Sequence, residues 1–462
     1  MIALFVLCLA VFMVAVDGTV ISVAVPSITQ ELSPSYNQVL WIGDIYSFVL
    51  AGLLITMGNL GDRVGRKKLL LISAVAFGAA SAAAAMAPTA ELLILARVVQ
   101  GVAGAGLMPS TLALLRTVFT DERQRMRAVG VWSASGAGGA AMGPTVAGVL
   151  LEHYYWGSVL LVNLPVVALI LAIGGWALPE ARSEARHPID LVSVAYSTAG
   201  ILGVVYGITE LAHAGLGFWP AYVALVVGGL LLWVFMRRQR GTPMPLLDLQ
   251  LFTQTRFATA IVAQLVIVFT TLGALFFLPI FLRQVGDFSP LQSGLAMLPE
   301  SVVGMVTAVS AARLIGRWGH RRILLAGLTV GSAGLVLLGL AIPISYPAMV
   351  FPLMLLGFSF GSVVTVASDL VLTSASADRV GAATGISETA FELGTAMGIA
   401  LTGSAVSVIY LLVSGAKADF SEAVDPRAFT QSLGANCVIV GVLLAAVTYA
   451  VARALRTHQP QA

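Results

Sequence analysis

The sequence predicts an all-α membrane protein of fourteen transmembrane spans with both termini cytoplasmic. Three observations predict it. The 462 residues are 58% hydrophobic and 10% charged, with a mean hydropathy of +0.94, whereas a soluble domain carries about 25% charged residues. The stretches 69–90, 128–151, 257–282 and 428–452 contain no Asp, Glu, Lys or Arg, and each is long enough to cross a bilayer. When the spans are laid out in order, 21 of the 25 Lys and Arg fall in loops on the side of the termini, and an excess of basic residues marks the cytoplasmic side.

The first span, 2–25, has no basic leader and is expected to be retained rather than cleaved. Spans at 38–58, 69–86, 91–115, 128–151 and 157–178 complete a first set of six, followed by a pair at 190–212 and 219–236. A second set lies at 257–282, 291–312, 322–342, 347–374, 381–411 and 428–453. The uncharged run 323–368 is too long for one crossing, and Pro343 with Pro347 divides it. Fourteen spans of about 20 residues use about 280 positions, leaving about 182 for loops, so no separate soluble catalytic domain fits. A net charge of +3 indicates no nucleic-acid partner. Cys8 and Cys437 lie inside uncharged runs, which indicates neither a disulfide framework nor a thiolate metal site. No Lys follows a Gly, so a phosphate-binding loop and an ATP-driven pump are excluded.

An internal repeat organises the chain. Gly58-Asn-Leu-Gly-Asp-Arg-Val-Gly-Arg-Lys-Lys-Leu-Leu70 follows span 2, and Ala312-Arg-Leu-Ile-Gly-Arg-Trp-Gly-His-Arg-Arg-Ile-Leu324 follows span 10, an offset of 254. Ala141-Met-Gly143 and Ala396-Met-Gly398 repeat at 255. Two pseudo-symmetric six-helix bundles, 1–180 and 246–462, explain both, with the extra pair inserted at 181–245 behind a hinge-like segment, 179–190.

Acidic residues inside the spans are the strongest functional signal, because a charge at the bilayer centre costs about 2.5 to 3.5 kcal/mol on insertion scales. Asp17, Asp44, Glu300, Glu388 and Glu392 lie within spans, and Arg97 is the single basic residue there. Glu388 and Glu392 are spaced i to i+4 and share a helix face, where they can exchange or compete for a proton. Asp44 lies toward the outer end of span 2, where a water-exposed structural role is an equal alternative. Glu300 follows Pro299 and is a candidate cation site. Arg97 and Gln100 are one helical turn apart and can address one polar cavity, the alternative being an arginine that snorkels outward. Trp132, Phe276, Phe277 and Met297 could line a cavity for greasy cations, although core or lipid contact is the plainer role for each.

In the Gly58 loop, glycines permit a tight turn and close helix approach, while Asp62 and the basic residues after it can bridge neighbouring loops. The same basic cluster also sets topology. In span 5, Gly139, Gly143 and Gly148 present small surfaces and Pro144 removes a backbone hydrogen bond, which makes a bendable or simply a closely packed helix.

Four motifs together resemble the major facilitator superfamily, and within it the fourteen-span drug:proton antiporter branch of the QacA, SmvA and LfrA type: Asp17-Gly-Thr-Val-Ile-Ser-Val-Ala-Val-Pro26, the Gly58 loop, Arg97-Val-Val-Gln-Gly101, and Gly139-Ala-Ala-Met-Gly-Pro-Thr-Val-Ala-Gly148. The resemblance covers essentially the whole chain. It implies a conformational latch of Gly58, Asp62, Arg63, Gly65, Arg66 and Asp121, in which Asp62 meets the N-terminal end of span 13 and Arg66 pairs with Asp121. Gly316 replaces Asp62 in the second copy, so latching is expected to be asymmetric. It also implies proton coupling through Arg97 and Gln100, and an exporter's direction of transport from the span 5 motif. The expected function is proton-driven efflux of lipophilic cations such as quaternary ammonium antiseptics and dyes, by alternating access in the plasma membrane. No cofactor is expected besides protons as the coupling ion, and the expected partners are hydrophobic cations, protons and the lipid bilayer, around a monomer. An exporter or flippase of an endogenous metabolite or lipid is the alternative, and a non-transporting membrane scaffold a third reading.

Overall fold

The computed structural model describes residues 1–34, 36–182, 190–214, 217–241, 247, 249–376, 379–415 and 425–457. Residues 183–189 of the hinge-like segment, and Lys417, lie outside the described residues. Fourteen helices are long and apolar enough to span a membrane, and no strand occurs among the described residues.

The first six spans are α1 (Ile2–Leu32), α2 (Tyr36–Val64), α3 (Arg66–Ala85), α4 (Ala90–Val118), α5 (Glu122–His153) and a sixth in two pieces, α6 (Ser158–Leu161) and α7 (Asn163–Ala177). Two further spans follow, α8 (Leu191–Ala214) and α9 (Trp219–Gly241). The remaining spans are α10 (Thr255–Phe276) with α11 (Leu278–Gln284), α12 (Pro290–Leu295) with α13 (Leu298–Trp318), α14 (His320–Ala341), α15 (Tyr346–Ser374), α16 (Val380–Ser414) and α17 (Pro426–Thr457).

Three expected single helices are thus interrupted, and each interruption lies just ahead of a proline: Pro165, Pro279 or Pro299. Proline donates no hydrogen bond to the carbonyl four residues back and its ring crowds that carbonyl, so the helix breaks about one turn ahead of each proline. Pro109, Pro144 and Pro352 are accommodated inside continuous helices. Thr89 and Asp121 cap α4 and α5 by accepting from the Leu92 and Gln124 amides.

Two compact units emerge. One comprises Met1–Leu202, Leu230–Leu249 and Val371–Thr389; the other comprises Gly203–Gly229, Gln250–Leu370 and Ala390–Ala462. In the first, α1 packs on α5 and α4 lies against both α2 and α3. Small residues set the α1–α5 distance, since a Cβ at Gly139 would sit 2.6 Å from the Phe12 carbonyl oxygen, and one at Gly143 would collide with Thr19. The second unit repeats the device 255 residues later: Cβ atoms at Gly394 and Gly398 would collide with the Leu265 and Phe269 carbonyls of α10. Pro144 and Gly148 are exposed and Gly148 faces open space, whereas Ala147 is fully buried in a cluster with Val16 and Val20 of α1.

Candidate functional site

Two polar constellations are built into the first unit. The inner one centres on Asp17, fully buried on α1. Arg97 of α4 donates through Nη1 to Asp17 Oδ2 at 2.6 Å. Gln100, one turn on, donates to Asp17 Oδ1 at 3.2 Å and to Ser81 Oγ at 2.8 Å. Asn163, the first residue of α7, donates to Asp17 Oδ1 at 2.7 Å and to Ser81 Oγ at 3.1 Å. The Arg97 guanidinium lies 4.5 Å from the ring centroid of Tyr46 on α2, a cation–π contact. Five helices thus contribute to one hydrogen-bonded network around the Asp17 carboxylate.

Arg97 therefore points inward, and the snorkelling alternative does not hold. Its charge is taken up by Asp17. The other intramembrane acids sit elsewhere: Asp44 is half-buried on α2, and Glu300 is half-buried on α13, where it accepts from the Ser301 hydroxyl at 3.1 Å. Glu388 is buried and Glu392 half-buried, one turn apart on the continuous helix α16. Among the described residues Glu392 has no hydrogen bond or ion pair. No group of acids, His and Cys there is arranged to hold a metal, and Cys8 and Cys437 are buried free thiols. Trp132 is buried and donates to the Thr111 hydroxyl at 3.1 Å, a packing role. Phe276 and Phe277 stack edge-on at 5.1 Å, and Met297 is half-buried.

The outer constellation is the Gly58 loop. Asp62 Oδ1 accepts from the Gly381 amide at 3.0 Å and Oδ2 from the Ala382 amide at 3.1 Å, at the start of α16. Those amides have no partner within the helix, and its positive end favours a carboxylate. Arg66 donates to Asp62 Oδ1 at 2.8 and 2.9 Å and to Thr117 Oγ1 at 3.3 Å. Asp121 instead caps α5, so the expected Arg66–Asp121 pair is replaced by Arg66–Asp62 within one loop. The i to i+4 spacing brings that pair together without a loop movement. Gly58 lies so close to Gly381 that a side chain at either would strike the other's carbonyl. Gly65 has φ 116° and starts α3, and Arg63 is exposed.

Residues 7–399 match the sequence pattern of the Major Facilitator Superfamily. The chain belongs to the Major Facilitator Superfamily. It is similar to the multidrug efflux pump LfrA of Mycolicibacterium smegmatis, 39% identical over 88% of this chain and 81% of that one. It is also similar to the methyl viologen resistance protein SmvA of Salmonella typhimurium, 36% identical over 85% and 80%, and to the tetracenomycin C resistance and export protein of Streptomyces glaucescens, 31% over 85% and 73%. Its fold matches the crystal structure of the human organic anion transporter MFSD10, with a TM-score of 0.68, 16% identity and coverage of 96% and 99%. As a Major Facilitator Superfamily member with fourteen apolar helices, the chain is a transporter and not an enzyme, a multi-pass protein of the plasma membrane.

Ser81, Asn163 and Tyr46 escaped the sequence reading. An Asn in an apolar span, two residues before Pro165, was the one available signal; Ser81 stands in an alanine run and carries none.

Proposed function

We propose that this superfamily transporter is a proton-coupled multidrug exporter of lipophilic cations, working by alternating access with both termini cytoplasmic. Relatives named as multidrug efflux and drug resistance proteins support the export of drug-like molecules. One observation supports the coupling ion and the substrate charge: the intramembrane base Arg97 is engaged by Asp17, which leaves Glu392 and Glu300 without a basic partner among the described residues. Carboxylates held in spans without a counter-ion can take up a proton or a cationic guest, and the two exclude each other. Proton entry then releases the drug outward, and drug capture releases protons inward. Each charge moved down a 100 mV potential supplies about 2.3 kcal/mol.

In this scheme Asp17, Arg97 and Gln100 form the proton-responsive switch of the bundle 1–180, Glu388, Glu392, Glu300 and Asp44 serve the cation and proton pathway, and Asp62 latches α16 in one state of the cycle. Proton release from the purified protein in weak buffer at pH 6 to 8, on adding a quaternary ammonium dication, tests the scheme. Wild type releases protons, and Glu392→Gln or Glu388→Gln releases fewer. Demonstrated binding with no proton release from wild type overturns it.

A further inference from the structure

We propose that Arg116 is a second latch point, a positioning residue that holds the C-terminal end of α15 as Asp62 holds the N-terminal end of α16. This rests on the reading of the Gly58 loop as a latch. Arg116 stands in the last turn of α4, where topology alone would account for its charge. Its Nη1 donates to two carbonyls, Leu372 at 2.7 Å and Ala375 at 2.5 Å. Helix α15 ends at Ser374, so these carbonyls belong to its final turn and the residue just beyond. Such carbonyls have no amide partner within the helix and carry the negative end of its dipole, which favours a cation.

The arrangement is reciprocal. Asp62, an acid, takes the amides that open α16; Arg116, a base, takes the carbonyls that close α15. Val371–Thr389 belongs to the same compact unit as α4 and the Gly58 loop, so both contacts lie inside one body. Between them, Thr384 donates to the Pro109 carbonyl of α4 at 3.2 Å. Arg66 and Arg125 are near enough to repel Arg116. The carbonyls offset that repulsion only while the end of α15 is in place, which ties the comfort of Arg116 to the latched arrangement.

Hydrogen exchange read by mass spectrometry on the purified full-length transporter tests this, with peptides covering 371–389, in wild type, R116Q, R116K, D62N and the double variant R116Q/D62N. R116Q is expected to speed exchange in that segment about tenfold, the scale of one charge-assisted hydrogen bond, and to lower transport rate with little change in drug affinity. R116K, a point charge without the planar fork, is expected to restore part of the protection. Unchanged exchange at 371–389 in R116Q, or faster exchange spread evenly over all helices, overturns the proposal. R116Q silent while D62N speeds exchange rejects Arg116 and leaves the Asp62 latch standing; D62N silent overturns the latch reading and, with it, the proposal that rests on it. Neither reading of exchange depends on whether transport is coupled to protons.

Discussion

The two copies of the repeated loop share a backbone and differ in chemistry. Gly65 and Gly319, 254 residues apart, both have positive φ, 116° and 78°, and each is the residue from which the next helix starts. A left-handed turn at that point lets the chain reverse at the membrane surface, and glycine adopts it without strain. The charges diverge. Asp62 binds the first amides of α16 and pairs with Arg66, whereas its counterpart Gly316 faces open space. Arg66 has His320 as its counterpart, which reaches the buried Asp369 of α15 at 2.9 Å. The glycine turn occurs in both copies; the contact of an acid with the first amides of a helix occurs in one of them.

Moving the acid between copies is the hardest test of that difference. Asp62→Asn removes the carboxylate from both α16 amides and takes away the negative charge beside the buried Arg66, with an expected cost of up to about 3 kcal/mol in thermal unfolding and loss of drug transport by vesicles. Gly316→Asp, on an exposed site, should change stability by less than about 0.5 kcal/mol and create no latch. Equal transport defects in the two variants would break the asymmetry. His320→Leu should cost about 1 to 3 kcal/mol, because Asp369 loses a hydrogen bond in a buried position; His320→Gln, which keeps a donor, should recover part of the melting temperature.

Alanine at the shared glycines sharpens the common part. Gly65→Ala and Gly319→Ala should each destabilise by about 1 to 2 kcal/mol, since L side chains resist positive φ. The Gly65 variant should be the worse, because its Cβ would meet the Glu180 carboxylate at 2.5 Å while Gly319 faces open space.

The Asp190–Arg238 pair of α8 and α9 gives the smallest effect and a control outside both copies of the loop. A hydrogen bond from Arg238, then one from Ser193, lowers the Asp190 carboxyl to about 2. Its folded value lies below the ordinary one of about 3.9, so its contribution is complete above the ordinary value and is lost as pH falls through about 2. Asp190→Asn should therefore shift the melting temperature near the limit of measurement, and by the same amount at pH 5 and pH 8.

Much of this was legible from residue order. Uncharged runs give spans because a bilayer penalises charge locally, and the repeated loop marks two glycine turns because both copies need the same positive φ. The acids announced themselves by the cost of being in lipid. Their partners did not. Arg97 sits 80 residues from Asp17, and the carbonyls that Arg116 binds lie 256 and 259 residues away; nothing in the local composition couples such positions. The Arg66–Asp121 expectation failed for a related reason, since a nearer acid on the same loop and the open end of α5 competed for those two groups.

Order of residues alone thus determined that the chain crosses the membrane fourteen times, where glycine must turn it and which spans carry acid, because hydropathy, backbone strain and desolvation act on each residue where it stands. Which acid meets Arg97, which helix ends receive Asp62 and Arg116, and that Asn163 and Ser81 join the network were decided only when the helices packed, because hydrogen bonds and ion pairs depend on distances of a few ångströms between residues far apart along the chain.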